Sequence, residues 1–140
     1  YIIGDLSDKN FKAIDIERYK ENPNIKFLGR VSDDELIKYY SNAKGFVFPS
    51  LYEGFGIPVL EAQACGCPVI SSNTSSLPEV LQDSALFSSP MDSDSFAENM
   101  AKIVSDNDLR NSLIEKGYQN MKRFSWEVSA KKIADLIDSF

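Results

Sequence analysis

Two carboxylates, Glu53 and Glu61, are separated by seven residues, Gly54-Phe55-Gly56-Ile57-Pro58-Val59-Leu60. Glycine at 54 and 56 lets the backbone turn with a positive φ and lets a ligand approach main-chain N–H groups with no Cβ in the way. Pro58 fits the first turn of a helix, where its missing donor costs nothing. The first N–H groups of that helix and its dipole favour an anion such as phosphate. Pro58 offers no donor, so Val59 and Leu60 are the expected contributors. Glu61, about one turn into the helix, is placed to accept hydrogen bonds from the vicinal hydroxyls of a ribose, as acidic residues do in other nucleotide folds. Glu53, before the turn, meets the group attached to the diphosphate. The run as a whole suits a sugar, a diphosphate and a nucleoside together.

Taken singly, each feature has a plainer reading. Glu61 would stabilise the helix dipole by about 0.3–1 kcal/mol with no ligand bound. Glu53 reads equally well as an exposed loop acid, and the glycines as a tight strand-to-helix turn. The chain contains no histidine, which removes the commonest general base and leaves carboxylates, backbone groups or the substrate itself. Cys65 and Cys67 are too close along the chain for easy disulfide geometry. Without histidine they make a poor zinc site, so no metal is expected. They read as small buried side chains in a reduced compartment.

The elements that must hold these residues follow from periodicity. Tyr1–Ile3, Ile25–Leu28, Gly45–Phe48, Val69–Ile70 and Ala85–Phe87 are short apolar strands. Phe11 to Tyr19 has helical spacing. Ser32-Asp33-Asp34-Glu35 is a capping box, opening a helix whose expected buried face is Leu36, Ile37, Tyr39 and Tyr40. Pro58 opens a helix running to about Cys65, ended by Gly66 with Pro68 beyond it, and Leu77 to Val80 starts a short one. After Pro90 the strands stop: Asp92–Ser105, Asp108–Arg123 and Ser125–Ser139 are three helical patterns.

Alternating strands and helices with near-continuous apolar strands predict an α/β fold: a Rossmann-like, three-layer parallel sheet with helices on both faces and a helical C-terminal tail. Residues 1–140 read as one domain. Ligands in such sheets sit at the carboxyl ends of the strands, and Glu53 and Glu61 follow the Phe46–Phe48 strand. A net charge of −6 argues against a nucleic-acid surface. No apolar run of about 18 residues marks a membrane span, and there is no signal-peptide pattern. The chain opens on Tyr1 with a strand already under way, so it is expected to be a fragment of a longer protein.

The stretch Glu53-Gly-Phe-Gly-Ile-Pro-Val-Leu-Glu61-Ala62, then Gly66-Cys-Pro-Val-Ile70, then Leu77-Pro-Glu-Val80 closely resembles the signature of the retaining glycosyltransferases of family 4 (group 1). Asn24 to Ser32, Tyr40-Ser-Asn-Ala43 and Pro49 to Glu53 resemble the family's preceding landmarks. The resemblance implies one half of a GT-B fold: the carboxyl-terminal, donor-binding domain without its first strand and helix. It implies transfer of a hexose from a nucleoside diphosphate sugar, UDP- or GDP-linked, to an acceptor hydroxyl, with retention and without a bound metal or other cofactor. Glu53 would face the donor sugar as the candidate catalytic group, with Gly54, Phe55, Gly56 and Ile57 beside it. Val59 and Leu60 would hold the diphosphate and Glu61 the ribose. Gly4, Arg30 and Val31 would border the nucleotide. The missing partner would be the N-terminal acceptor domain of the same parent chain, and the isolated fragment is expected to show little or no activity. A cytoplasmic parent, peripheral to the membrane, fits such an enzyme.

Two departures stand out. The family's Arg and Lys that neutralise the diphosphate would lie upstream of Tyr1, and Arg30 and Lys44 do not match them. Where the family often has Gly-Gly before Leu-Pro-Glu, this chain has Ser75-Ser76, which puts the shape of that loop in question. Glu79 reads as a helix-start acid. Tyr39, Tyr40, Phe46 and Phe48 read as core, and Trp126 as the anchor of the last helix. Some apolar surface is expected to lie open there, enough for weak self-association. The alternatives are another GT-B enzyme, such as an epimerase or phosphorylase, and a non-catalytic nucleotide-sensing or interaction module.

Overall fold

A computed structural model describes residues 1–4 and 17–140. Most of the helix expected from Phe11 lies outside the described residues; its last turn is helical as α1, Glu17–Lys20. The chain divides into two compact units, Tyr1–Lys38 and Tyr39–Phe140.

In the first unit β1 (Ile2–Ile3) pairs in parallel with β2 (Phe27–Gly29). The Gly4 N–H donates to the Gly29 carbonyl at 2.9 Å. Gly29 takes a φ of +67°, a backbone angle that glycine reaches without a Cβ penalty. The predicted capping box is formed. The Ser32 hydroxyl donates to Glu35 Oε2 at 2.7 Å, the Ser32 N–H donates to the same oxygen at 2.9 Å, and the Glu35 N–H reaches Ser32 Oγ at 3.4 Å. Those bonds to Ser32 hold the Glu35 carboxyl below the usual carboxylate range. Helix α2 (Asp33–Asn42) follows. Leu36 and Tyr39 are half-buried and Tyr40 is buried, but Ile37 is 52% exposed. One residue on from Leu36 is about 100° around the helix, which takes Ile37 off the stripe that Leu36, Tyr39 and Tyr40 share.

The second unit holds a parallel sheet in the order β3 (Phe46–Phe48), β4 (Val69–Ser72), β5 (Ala85–Ser88). The described strands thus form two sheets, a division that strand periodicity along the chain does not report. Helices α3 (Ile57–Ala64) and α4 (Leu77–Leu81) make the crossovers. Right-handed connections running in one direction put both on one side of the sheet. Register aligns Val47 with Ile70 and Ile70 with Leu86. That row packs against Phe96 and Ile103 of α5 (Ser93–Ser105) and Leu109 and Leu113 of α6 (Asn107–Met121). Helices therefore lie on both sides of this sheet.

Asp92 caps α5 by accepting from the Ser95 N–H at 3.0 Å, and Asp106 ends α5 and opens α6, accepting from the Leu109 N–H at 2.8 Å. Tyr40, Phe46 and Phe48 form an aromatic row, the first pair edge to face at 5.1 Å. Both cysteines are free thiols, and burial pushes Cys67 up to about 12.

The last helix, α7 (Trp126–Asp138), is capped by Ser125 but buries no residue. Trp126 is 85% exposed and does not anchor it. Amphipathic spacing predicts an apolar face, not what covers it. Ile133, Leu136 and Ile137 lie open with Trp126, the exposed apolar surface expected there. Among the described residues no helix is long and apolar enough to cross a membrane.

Candidate functional site

Strand β3 ends at Phe48, and the chain then runs through residues 49–56 before α3 begins. This loop leaves the carboxyl end of a parallel strand, the side on which α/β sheets hold ligands. Glu53, Gly54, Phe55, Gly56, Ile57, Val59, Leu60 and Glu61 all lie on it or on α3, within the second unit.

The loop is pinned by hydroxyls from the end of the neighbouring strand β4 and from the β4–α4 connection. Ser75 Oγ donates to the Glu53 carbonyl at 2.6 Å and accepts from the Glu53 N–H at 3.3 Å. Ser76 Oγ reaches the same carbonyl at 3.0 Å. Thr74 Oγ1 donates to the Leu51 carbonyl at 3.2 Å, and Ser72 Oγ to the Ser50 carbonyl at 2.5 Å. Ser50 Oγ in turn donates to Glu53 Oε1 at 2.8 Å. The carboxylate is half-buried and has its backbone and one oxygen fixed, which suits a group that must hold its position.

The two glycines differ. Gly56 is the N-cap of α3, buried, with a φ of +93°, and a Cβ there would stand 2.7 Å from Leu77 Cδ2. Gly54 is exposed, has no positive φ, and a Cβ on it would meet nothing within 4 Å. Gly56 therefore shapes the turn, while Gly54 leaves open room beside the backbone. Because the N-cap is glycine, no side chain caps α3, unlike α5, α6 and α7. No side-chain oxygen therefore competes for the first turn of α3, the arrangement that favours an anion, although Pro58 has no N–H to offer. Val59 is a weaker contributor than expected: its N–H points back to the Gly56 carbonyl at 3.2 Å, and the side chains of Val59 and Leu60 are core. Ile57 is exposed at the turn.

Phe55 is 45% exposed and its ring meets Phe124 edge to face. Arg123 stacks 5.0 Å over the Phe124 ring and donates to the carbonyls of Glu79 and Val80 at 3.2 Å. Glu61 is exposed on α3. Burial holds the Tyr40 hydroxyl up at about 12, and the charge of Glu61 is the next cause. Glu79 is a first-turn acid of α4, as read from its spacing. Gly4, Arg30 and Val31 belong to the first unit. Gly4 follows β1 with a φ of +144°, Arg30 is exposed and Val31 half-buried.

The profile of glycosyl transferases group 1 matches residues 1–120. The chain belongs to that family. It is 42% identical over 112 residues to O-antigen chain mannosyltransferase B of Escherichia coli, a match that covers 80% of this chain and 29% of that protein. Sucrose-phosphate synthase from Thermosynechococcus elongatus superposes with a TM-score of 0.78 and 30% identity, over 89% of this chain and 32% of its own. Anabaena Alr3699/HepE, solved with UDP-glucose, superposes with a TM-score of 0.85 over 99% of this chain and 40% of its own. At 20% identity that likeness speaks for the fold, the α/β arrangement of GT-B glycosyltransferases. The chain spans under a third of the mannosyltransferase it matches.

Within this group 1 glycosyltransferase chain, sequence reasoning found the acids and the glycine turn but missed what holds them. The run Ser71-Ser72-Asn73-Thr74-Ser75-Ser76 was the available signal. It spans the end of β4, the strand paired directly with β3, and the turn after it, so its hydroxyls emerge beside the loop that carries Glu53. Phe124 carried no signal, because its partner is 69 residues away in sequence and its spacing marks only a helix boundary.

Proposed function

We propose that this chain is the donor-binding part of a retaining, family 4 hexosyltransferase, which moves a hexose from a nucleoside diphosphate sugar to an acceptor hydroxyl. The observation that carries this reading is the pair Glu53 and Glu61 flanking a helix start that no side chain caps. The α3 dipole, with backbone groups of Gly54, Phe55, Gly56, Ile57 and Leu60, supports the departing diphosphate. Val59 completes that turn. Glu61 binds the ribose hydroxyls. Glu53, fixed by Ser50, Ser75 and Ser76, supports positive charge developing at the sugar. Gly4, Arg30 and Val31 are assigned to the nucleotide by family resemblance. The mannosyltransferase and the protein solved with UDP-glucose both favour a hexose donor, linked to GDP or UDP.

The reaction is proposed to need no metal, since backbone dipoles meet the leaving group. The acceptor site belongs to the rest of the parent protein, a cytoplasmic enzyme peripheral to the membrane, and the 140-residue chain alone has little or no transferase activity. The test is transfer by the full-length protein with UDP-glucose and GDP-mannose, reading the anomeric configuration of the product by NMR and repeating the assay with EDTA. Retained configuration and EDTA-insensitive turnover support the reading. An inverted product or turnover abolished by EDTA would remove it.

A further inference from the structure

Ser75 stands where glycine would be the easy choice. Its φ is +57°, in the left-handed region that non-glycine residues seldom occupy. Its hydroxyl spans one residue of the facing loop, accepting from the Glu53 N–H at 3.3 Å and donating to the Glu53 carbonyl at 2.6 Å. No other described side chain holds both backbone groups of Glu53. Ser76 shares the carbonyl, and Ser50 holds the carboxylate. A costly backbone conformation that places a hydroxyl against a candidate site is strain retained for position.

We infer that Ser75 is a positioning residue: it fixes the Glu53 backbone, and through it the carboxylate, before the donor arrives. This rests on the donor-binding reading of the site. Glycine at 75 relaxes the backbone but loses both hydrogen bonds. Alanine loses the bonds and keeps the strain. Stability and turnover are thus driven in opposite directions by one substitution, which a merely structural serine would not do. Because Glu53 acts on charge that develops during transfer, the loss falls on kcat more than on KM. Two hydrogen bonds, one of them long, correspond to about a tenfold loss.

The experiment compares Ser75→Gly and Ser75→Ala with the unaltered full-length protein. It measures urea midpoints, steady-state hydrolysis of UDP-glucose and GDP-mannose, and amide exchange at Glu53. The expected result is a Ser75→Gly protein at least as stable as the parent, with kcat about tenfold lower, KM little changed, and a Glu53 amide that exchanges faster. Ser75→Ala shows the same kinetic loss together with lower stability. A Ser75→Gly protein with unchanged Glu53 exchange overturns the inference, as does one whose kcat is unchanged or falls only in step with stability. If the parent neither binds nor hydrolyses either donor while Glu53 exchange still rises in Ser75→Gly, the hold of Ser75 on Glu53 stands and the donor-binding reading falls.

Discussion

Phe55 and Phe124 meet edge to face, with ring centroids 5.7 Å apart and planes at 88°. This contact ties the loop that carries Glu53 to the turn between α6 and α7. Such a pair contributes about 0.5–1.5 kcal/mol beyond its buried area. Phe124→Ala is expected to raise KM for the nucleotide sugar several-fold, with a drop in urea stability of about 1 kcal/mol. Steady-state kinetics and urea titration of the full-length protein check both.

Gly56 admits no side chain. Its φ of +93° and the 2.7 Å approach to buried Leu77 mean that Gly56→Ala must move α4 or distort the start of α3. The expected cost is about 1–3 kcal/mol of stability, with loss of donor binding. Gly54→Ala, at an open position, is expected to keep stability within about 0.5 kcal/mol. Thermal unfolding of the two variants distinguishes the glycine that shapes the turn from the one that leaves room beside it.

Tyr40 and Cys67 set an alkaline limit. Burial holds both protonated in the fold, raising Tyr40 from 10.0 and Cys67 from 9.0 to about 12. The folded state thus binds more protons than the unfolded one between those values. The stability they contribute is complete below about pH 9 and is lost as pH rises toward 12. The loss is about 1.4 kcal/mol per group for each pH unit separating folded from unfolded titration. Urea midpoints are expected to fall steeply above about pH 9, and Cys67→Ala should make the first part of that fall shallower.

Trp126, 85% exposed at the start of α7, contributes little to the 140-residue chain. Trp126→Ala is expected to change its urea stability by less than about 0.5 kcal/mol. A loss of 2 kcal/mol or more, roughly what burial of a large apolar side chain contributes, would mean that α7 packs on the core after all.

Local signals carried much of this fold. Ser32 and Glu35 announced the start of α2, Pro58 and Gly66 bracketed α3, and Asp92 and Ser125 marked the openings of α5 and α7, while α6 opens at Asp106, two residues before the expected Asp108. Each is a contact between near neighbours in sequence, which residue type and spacing encode directly. The acidic pair was legible for the same reason. What escaped were contacts between distant residues of equal local plausibility: Ser75 with Glu53, Phe124 with Phe55, and Asn120 with Gln63 at 2.8 Å in the interior. Trp126 shows the converse. A large aromatic at a helix start suggests burial by type alone, and only the surrounding packing decides the matter.

The central claim is that Glu53 and Glu61 hold a nucleoside diphosphate sugar. Calorimetric titration of the full-length protein with UDP-glucose, GDP-mannose and ADP-glucose tests it most directly, alongside Glu61→Ala. Exposed on α3, Glu61 can be truncated without leaving a hole in the core. One nucleotide is predicted to bind saturably, and Glu61→Ala to weaken it by about 10- to 100-fold, the loss of charge-assisted hydrogen bonds to the ribose. Binding of equal strength in both proteins, or no binding of any of the three to the unaltered one, would contradict the account.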